Sequence, residues 1–267
     1  MITPHVLEHD FGERVRAFST MRMVGFSKGQ YATFNVNPFC GDDSDAVAGN
    51  KRLLCSTLGI KEQCLIIPHQ THETNSLCID ADFLSQSDEK QASLLEGVDA
   101  VMTDLEGVCV SVSTADCVPV LLYDTEHHAV AAVHAGWRGT VARIVSKALL
   151  TMIRKYGTDA SCVRVVIGPS ISVDAFEVGD EVYQTFADAK FPMETIALRY
   201  PASGGAGEKW HLDLWEANRH LLLEAGVPDE HIKVSGICTY RQCEQFFSAR
   251  RLGIKSGRIL NGIMIKK

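Results

Sequence analysis

Three short segments place thiol, imidazole and guanidinium groups beside apolar runs of the chain. They read PHQTH at residues 68–72, TADC at 114–117 and HAGWRG at 134–139. A thiol and an imidazole held close together make either a nucleophile with its general base or two ligands of a metal ion. We therefore expect a reactive centre built around Cys117 and His134.

A third ligand would turn this pair into a metal site. His72 follows a short apolar run and is the first candidate, with His69 as the second. Two imidazoles and one thiolate with an open fourth position are typical of catalytic zinc, and copper accepts the same donors. The predicted ligands are His72, Cys117 and His134.

Arg138 adds an anion-binding element to the third segment. It follows Trp137 between two glycines, and Thr140 stands where a helix is predicted to begin. The N-terminus of a helix and one arginine together form a site for phosphate or carboxylate. We therefore expect Arg138 and Thr140 to bind the anionic group of a substrate.

A β-hairpin is expected to bring Cys117 and His134 together. The apolar runs 118–123 and 129–133 predict two strands. A two-residue loop at Thr125 and Glu126 would set Cys117 directly opposite His134, with Cα atoms roughly 4.5–5.5 Å apart. Thr-Glu is not a favoured two-residue turn, so a longer loop stays open as the alternative.

The elements around these segments indicate an α/β (α+β) protein with helices as outer layers. Apolar periodicity predicts helices at 44–58, 140–156 and 213–225, the last capped by Asp213. Short β-branched runs predict strands at 65–67, 109–112, 118–123, 129–133, 163–167 and 233–238. The glycine-rich residues 201–208 predict a mobile surface loop. Glycine-rich dinucleotide and phosphate-loop motifs are missing, which leaves those modes of nucleotide binding unsupported.

The composition is that of an ordinary globular protein. The 267 residues are 46% hydrophobic and carry a net charge of −7. This balance argues against a general nucleic-acid binder, which needs a basic face, and no apolar run is long enough to span a membrane. The nine cysteines form no CxxC pair, and the first residues do not resemble a signal peptide. We therefore expect a cytoplasmic protein with reduced thiols.

Further motifs extend along nearly the whole chain. They read FST at 18–20, YATFN at 31–35, GVDA at 97–100, IGPSI at 167–171, FEVG at 176–179 and FFSARR at 246–251. Together with TADC and HAGWRG, these motifs resemble the YfiH-like laccase-domain family. Members of that family are also described as polyphenol-oxidase-like proteins and as purine nucleoside phosphorylases.

The resemblance implies one compact domain over residues 1–267, layered α-β-β-α with mixed sheets. It implies zinc, with copper as the alternative metal, bound by His72, Cys117 and His134. The implied activity is cleavage of adenosine, inosine and methylthioadenosine by phosphate, with deamination of adenosine beside it. Asn35, in the YATFN motif, is expected to contact substrate or phosphate together with Arg138 and Thr140. The partners would then be a purine nucleoside and phosphate, in a monomer or homodimer.

Other functions stay open on the sequence alone. Cys117 could act as the nucleophile of a metal-free hydrolase with His134 as its base. A copper-dependent polyphenol oxidase is a second alternative, although one such site does not readily hold several copper ions. A binding domain without activity is a third, and it leaves the clustered Cys, His and Arg unexplained. The carboxylate that transfers protons is left open among four candidates: Glu73, Asp116, Glu177 and Asp213.

Overall fold

The computed structural model describes residues 3–202, 205 and 207–267 and shows three β-sheets with helices around them. The strands are β1 Val6–His9, β2 Val15–Thr20, β3 Leu65–Ile66, β4 Ser76–Cys78, β5 Ala100–Thr103, β6 Cys109–Thr114, β7 Val118–Asp124, β8 Val130–Ala135, β9 Val163–Ile167, β10 Glu177–Val178, β11 Ala197–Pro201, β12 Glu208–Leu212, β13 Ile232–Val234 and β14 Ile259–Ile265. The helices are α1 Ser44–Leu58, α2 Ala81–Leu84, α3 Asp88–Leu95, α4 Trp137–Val141, α5 Ile144–Tyr156, α6 Asp180–Asp188, α7 Met193–Ile196, α8 Leu214–Glu224 and α9 Ala249–Leu252. Within this part of the chain, none of the helices is long and apolar enough to cross a membrane.

Two large mixed sheets form the centre of the molecule. One has five strands in the order β1-β2-β14-β6-β3, and the other has six in the order β13-β9-β7-β8-β5-β4. A small third sheet has the order β10-β12-β11. Every residue of β6, β7 and β8 is buried, which explains why β7 and β8 are apolar along most of their length and do not alternate. In β6, valines alternate with serines that are also buried.

Three apolar layers hold the sheets and helices together. Side chains such as Val110 and Leu121 fill the space between the two large sheets. Leu54 of α1 packs on the outer side of the five-stranded sheet, and Leu149 of α5 and Leu221 of α8 pack on the outer side of the six-stranded sheet. Each buried leucine stabilises the fold by about 1.5–3 kcal/mol. The order of layers is α-β-β-α, so the predicted fold class and layering are confirmed.

The β7–β8 hairpin forms, but its predicted register is wrong. His134 lies opposite Pro119, and Cys117 lies just beyond the end of β7. The loop has four residues, 125–128, because the backbone N–H of Asp124 still bonds across the hairpin and its carboxylate accepts two N–H groups of the turn. The shift is by two residues, so Cys117 and His134 keep a common face of the sheet.

The predicted helix at 140–156 is wrong at its start. A short helix, α4, ends at Val141, and α5 begins at Ile144 after Arg143, whose φ of 61° lies in the left-handed region. Thr140 therefore lies inside α4, which is capped by Gly136, and the expectation that Thr140 stands at the start of a helix is also wrong.

The remaining predicted elements agree more closely with the structure. The helix at 44–58 and the strand at 163–167 have the predicted bounds, and the side chain of Asp213 caps α8 as expected. The predicted strand at 233–238 is shorter, because β13 ends at Val234. The predicted loop at 201–208 links β11 to β12, although residues 203, 204 and 206 lie outside the described residues.

Candidate metal centre

The three predicted ligands converge on one point of the structure. Their donor atoms, one each from His72, Cys117 and His134, all lie within 4.8 Å of one another. The Sγ atom of Cys117 is 3.9 Å from Nε2 of His72, and the two imidazole rings meet edge to face with centroids 4.7 Å apart. His72 is exposed and His134 is buried, so the group extends from the core to the surface.

Two residues in the left-handed region shape the loops that carry these side chains. His72 has a φ of 66° and Asp116, immediately before Cys117, has a φ of 89°. Such backbone costs a residue with a side chain about 1–2 kcal/mol, so neighbouring contacts must hold it in place. The carboxylate of Asp116 does so by accepting hydrogen bonds from the Thr239 hydroxyl at 2.7 Å and the backbone N–H of Arg250 at 2.6 Å.

Asp99 orients both histidines of the group, a role that was not predicted from the sequence. His134 donates through Nδ1 to Oδ1 of Asp99 at 2.7 Å, which leaves its Nε2 for a ligand. The same buried carboxylate accepts the backbone N–H groups of Thr71, His72 and Glu73 at 3.0–3.2 Å. The one feature of the sequence that could have indicated this role is the position of Asp99 in the GVDA motif, directly before an apolar strand.

The cysteine and the buried histidine form a charged pair. Burial alone raises the pKa of the Cys117 thiol, but the charge and hydrogen bond of His134 outweigh burial, and the pKa falls to about 6. Burial likewise lowers the pKa of His134, while the Cys117 thiolate and the bond to Asp99 raise it to about 9. The electrostatics therefore favour the thiolate, which is the form of cysteine that binds metals and attacks electrophiles.

Gly136 leaves room for the group. A Cβ atom at this position would lie 3.1 Å from Sγ of Cys117 and 3.1 Å from Cδ2 of His72. A side chain here would push the two ligands apart, so this glycine of the HAGWRG motif is required by close packing and not by an unusual φ.

A cavity of about 280 Å³ opens above the group. His72, Cys117 and His134 line it together with Phe39, His69 and Arg258. Arg258 donates to the carbonyls of Ile254, Ser256 and Gly257, and it forms no ion pair with the residues that the structure describes. The cavity therefore combines a metal-ligating group with one uncompensated cation.

The predicted anion-binding residues lie elsewhere. The guanidinium of Arg138 stacks on the Trp137 ring at 4.2 Å and does not line the cavity. Thr140 is buried and accepts from Asn218, and Asn35 is buried with hydrogen bonds to Asp42 and to the backbone N–H of Arg258. Contacts of Arg138, Thr140 and Asn35 with phosphate or substrate stay predictions, and the structure offers Arg258 as a further candidate.

The four candidate carboxylates also lie outside the cavity lining. Asp116 and Asp213 accept hydrogen bonds that hold a turn and a helix end. Glu177 lies 4.0 Å from Nε2 of His211, and Glu73 accepts a hydrogen bond from Asn75. Glu73 and Asp116 each stand directly beside a predicted ligand in the sequence, His72 and Cys117.

Known proteins resemble this chain over most of its length. A protein from Bacteroides thetaiotaomicron named purine nucleoside phosphorylase is 51% identical over 94% of this chain and 91% of its own length. A protein from an unknown prokaryotic organism named adenosine deaminase RL5 is 42% identical over 95% of each chain. The crystal structure of the Bacillus licheniformis hypothetical protein YfiH superposes with a TM-score of 0.88 at 29% identity, covering 99% of this chain and 97% of that one. The family model described as multi-copper polyphenol oxidoreductase laccase matches residues 16–266, and the chain belongs to that family.

Proposed function

We propose that this protein is a zinc-dependent purine nucleoside phosphorylase that also deaminates adenosine. The observation that carries the proposal is the group of His72, Cys117 and His134, oriented by Asp99 beneath a cavity that Arg258 also lines. The names of two similar proteins, purine nucleoside phosphorylase and adenosine deaminase, support the same class of substrate.

The donor set fits one zinc ion. It offers one thiolate and two imidazoles, and the Asp99 bond fixes the tautomer of His134 that leaves Nε2 available. The part of the chain that the structure describes contains one group of three or more such ligands, whereas multi-copper chemistry needs several metal ions. Bound zinc would supply a Lewis acid at the floor of the cavity.

The other groups of the cavity suit a nucleoside and phosphate. Arg258 provides a positive charge with unused N–H groups, because its three backbone bonds occupy only part of its five donors. Phe39 is half-exposed and offers an aromatic face of the kind that binds a purine. The chain therefore places a cation and a stacking surface around the ligand group.

Metal content and products test the proposal together. We expect protein purified without added metal to carry zinc at about one ion per chain, measured by mass spectrometry of the metal. We expect inosine and phosphate to yield hypoxanthine and ribose 1-phosphate, and adenosine to yield some inosine, with both reactions lost after chelation and restored by zinc. Stoichiometric copper with oxygen uptake on phenols would instead support a polyphenol oxidase.

A metal-free thiol hydrolase is the second candidate, because His134 lowers the pKa of Cys117 to about 6. Alkylation of Cys117 distinguishes a thiol hydrolase from a zinc enzyme. In a zinc enzyme, iodoacetamide should modify Cys117 rapidly only after chelation, and no covalent substrate adduct should form. An adduct on Cys117 in zinc-replete protein would favour the thiol hydrolase.

A further inference from the structure

His69, the second candidate ligand, lies outside the group of three and is paired with Glu96. Its Nδ1 atom lies 2.9 and 2.8 Å from the two carboxylate oxygens of Glu96. The backbones are also tied, because the N–H of His69 donates to the carbonyl of Leu95 and the N–H of Gly97 donates to the carbonyl of His69. Hydrogen bonds of both the backbone and the side chain of His69 therefore hold the imidazole in place.

The pair stands between two cavities. His69 and Phe39 line the cavity above the ligand group, and both also line a neighbouring cavity of about 730 Å³ whose walls include Val36, Leu65 and Ile66. The Phe39 ring stacks on the His69 ring with centroids 4.4 Å apart, and 48% of Phe39 is exposed. A planar aromatic ligand that extends from the ligand group toward the larger cavity would meet these two rings.

The free nitrogen of His69 is available to such a ligand. Nδ1 is used by Glu96, while Nε2 has no hydrogen-bond partner among the described residues, and 39% of the side chain is exposed. A carboxylate on one imidazole nitrogen fixes the ring and leaves the other nitrogen to exchange a proton. The arrangement is that of an acid–base dyad.

We propose that His69 is the general acid that protonates the departing purine and that Glu96 is its positioning residue. This inference rests on the proposed phosphorolysis. Phosphate forms a bond to C1′ of the ribose, the C1′–N9 bond breaks, and its electron pair enters the purine ring. His69 gives its Nε2 proton to N7 of the purine. The proton that hydrogen phosphate releases on becoming the sugar ester restores the imidazolium, so protons and charge balance.

A 7-methylated nucleoside isolates this step. Its purine already carries a positive charge and leaves as a neutral molecule, so it needs no proton at N7. We expect His69→Gln to lower kcat on inosine by about 100-fold, the lower range for general acid catalysis. On 7-methylinosine the same variant should stay within about threefold of the wild type. Glu96→Gln should lower kcat on inosine by about 10-fold and should likewise leave kcat on 7-methylinosine nearly unchanged.

His220 supplies a matched control. It pairs with Glu224 at 3.3 Å on α8 and lines neither cavity, so His220→Gln should leave kcat on both substrates unchanged. Zinc content and thermal midpoints of all variants verify folding and show whether His69 binds metal. Equal losses on the two nucleosides, or no loss on inosine, would overturn the role of His69. A wild type that releases no purine from either nucleoside would instead overturn the proposed function and this inference with it.

Discussion

One buried carboxylate controls the geometry of the ligand group. Asp99 accepts four hydrogen bonds, one from Nδ1 of His134 and three from backbone N–H groups at 71–73. Its negative charge favours His134 as a donor at Nδ1, and the backbone bonds hold the loop of His72. Two predicted ligands therefore depend on one side chain that binds no metal itself.

The substitution Asp99→Asn tests this dependence. The amide keeps the shape but loses the charge and presents an N–H₂ group to donors, so we expect the affinity for zinc to fall by about 10–100-fold. Competition with a coloured chelator measures this affinity. Asp99 directly precedes strand β5 and Asp104, which is exposed, directly follows it. Asp104→Asn is therefore the control and should bind zinc like the wild type. Unchanged zinc affinity in Asp99→Asn would contradict the argument.

Two arginines are candidates for the phosphate contact. The sequence pattern favours Arg138, whereas the cavity lining favours Arg258. Loss of a charge-assisted hydrogen bond of about 1.5–3 kcal/mol corresponds to weaker phosphate binding by about 10–150-fold. We expect Arg258→Gln to raise the KM for phosphate by this factor, and Arg138→Gln to raise it less. Adenosine deamination, which uses no phosphate, should change little in Arg258→Gln, and a larger effect of Arg138→Gln would reverse the assignment.

At the residue scale, the sequence allowed the ligand types to be predicted but not their supports. His72, Cys117 and His134 stand in short polar motifs beside apolar strands, where reactive side chains are recognisable. Asp99 bonds to His134, 35 positions later in the chain, and Arg258 lines the same cavity as Cys117 and His134, although it is distant from both in sequence. Only the folded structure brings such pairs together.

At the element scale, errors arise where a side chain overrides a regular pattern. The Asp124 carboxylate caps the turn after β7 and lengthens the loop by two residues. The helix expected from 140 is interrupted at Arg143, which has a φ of 61° and whose side chain pairs with Glu224 at 2.6 Å. Apolar periodicity carries no information about local contacts of this kind, which explains why neither the length of the hairpin loop nor the break before α5 was predicted.

Lys190 offers a test of backbone strain at a helix end. It follows α6 with a φ of 65°, is exposed, and forms no ion pair with a described residue. Because glycine adopts this conformation freely, we expect Lys190→Gly to raise the free energy of unfolding by about 0.5–1 kcal/mol. Lys61 is the matched control, since it is also exposed but has a φ of −73°. We expect Lys61→Gly to lower the free energy of unfolding by about 0.5–1 kcal/mol. Urea unfolding measures the free energy of unfolding of both variants. If both substitutions change it by the same amount, the φ of Lys190 has no effect on stability.

At the scale of the whole molecule, a chain of polar side chains crosses four strands of the five-stranded sheet. Ser19 on β2 donates to Asn261 on β14 at 2.6 Å, and Asn261 donates to Thr114 on β6 at 3.0 Å. His9 on β1 lies 2.9 Å from the Ser19 hydroxyl, and its Nε2–H is the donor because the serine proton is used on Asn261. Three of these four side chains, those of Ser19, Asn261 and Thr114, are buried, and the network ends at the imidazole of His9.

Burial of this imidazole makes the stability of the fold depend on His9 in mild acid. Burial lowers the pKa of His9 from 6.5 to about 4. Between these values the unfolded chain binds more protons than the folded one, so the contribution of His9 is complete above pH 6.5 and is lost as the pH falls toward 4. At pH 5 the loss amounts to about 2 kcal/mol.

The substitution His9→Gln removes the titrating group and keeps a donor for Ser19. We therefore expect the drop in unfolding free energy between pH 7 and pH 5 to be about 2 kcal/mol smaller in His9→Gln than in the wild type. Urea unfolding at the two pH values, at constant ionic strength and with chelator present to keep metal binding out of the comparison, gives this difference. His5→Gln, at an exposed histidine four residues earlier, should retain the pH dependence of the wild type. If His9→Gln also retains it, the imidazole is hydrated in the folded protein and its burial does not limit stability in acid.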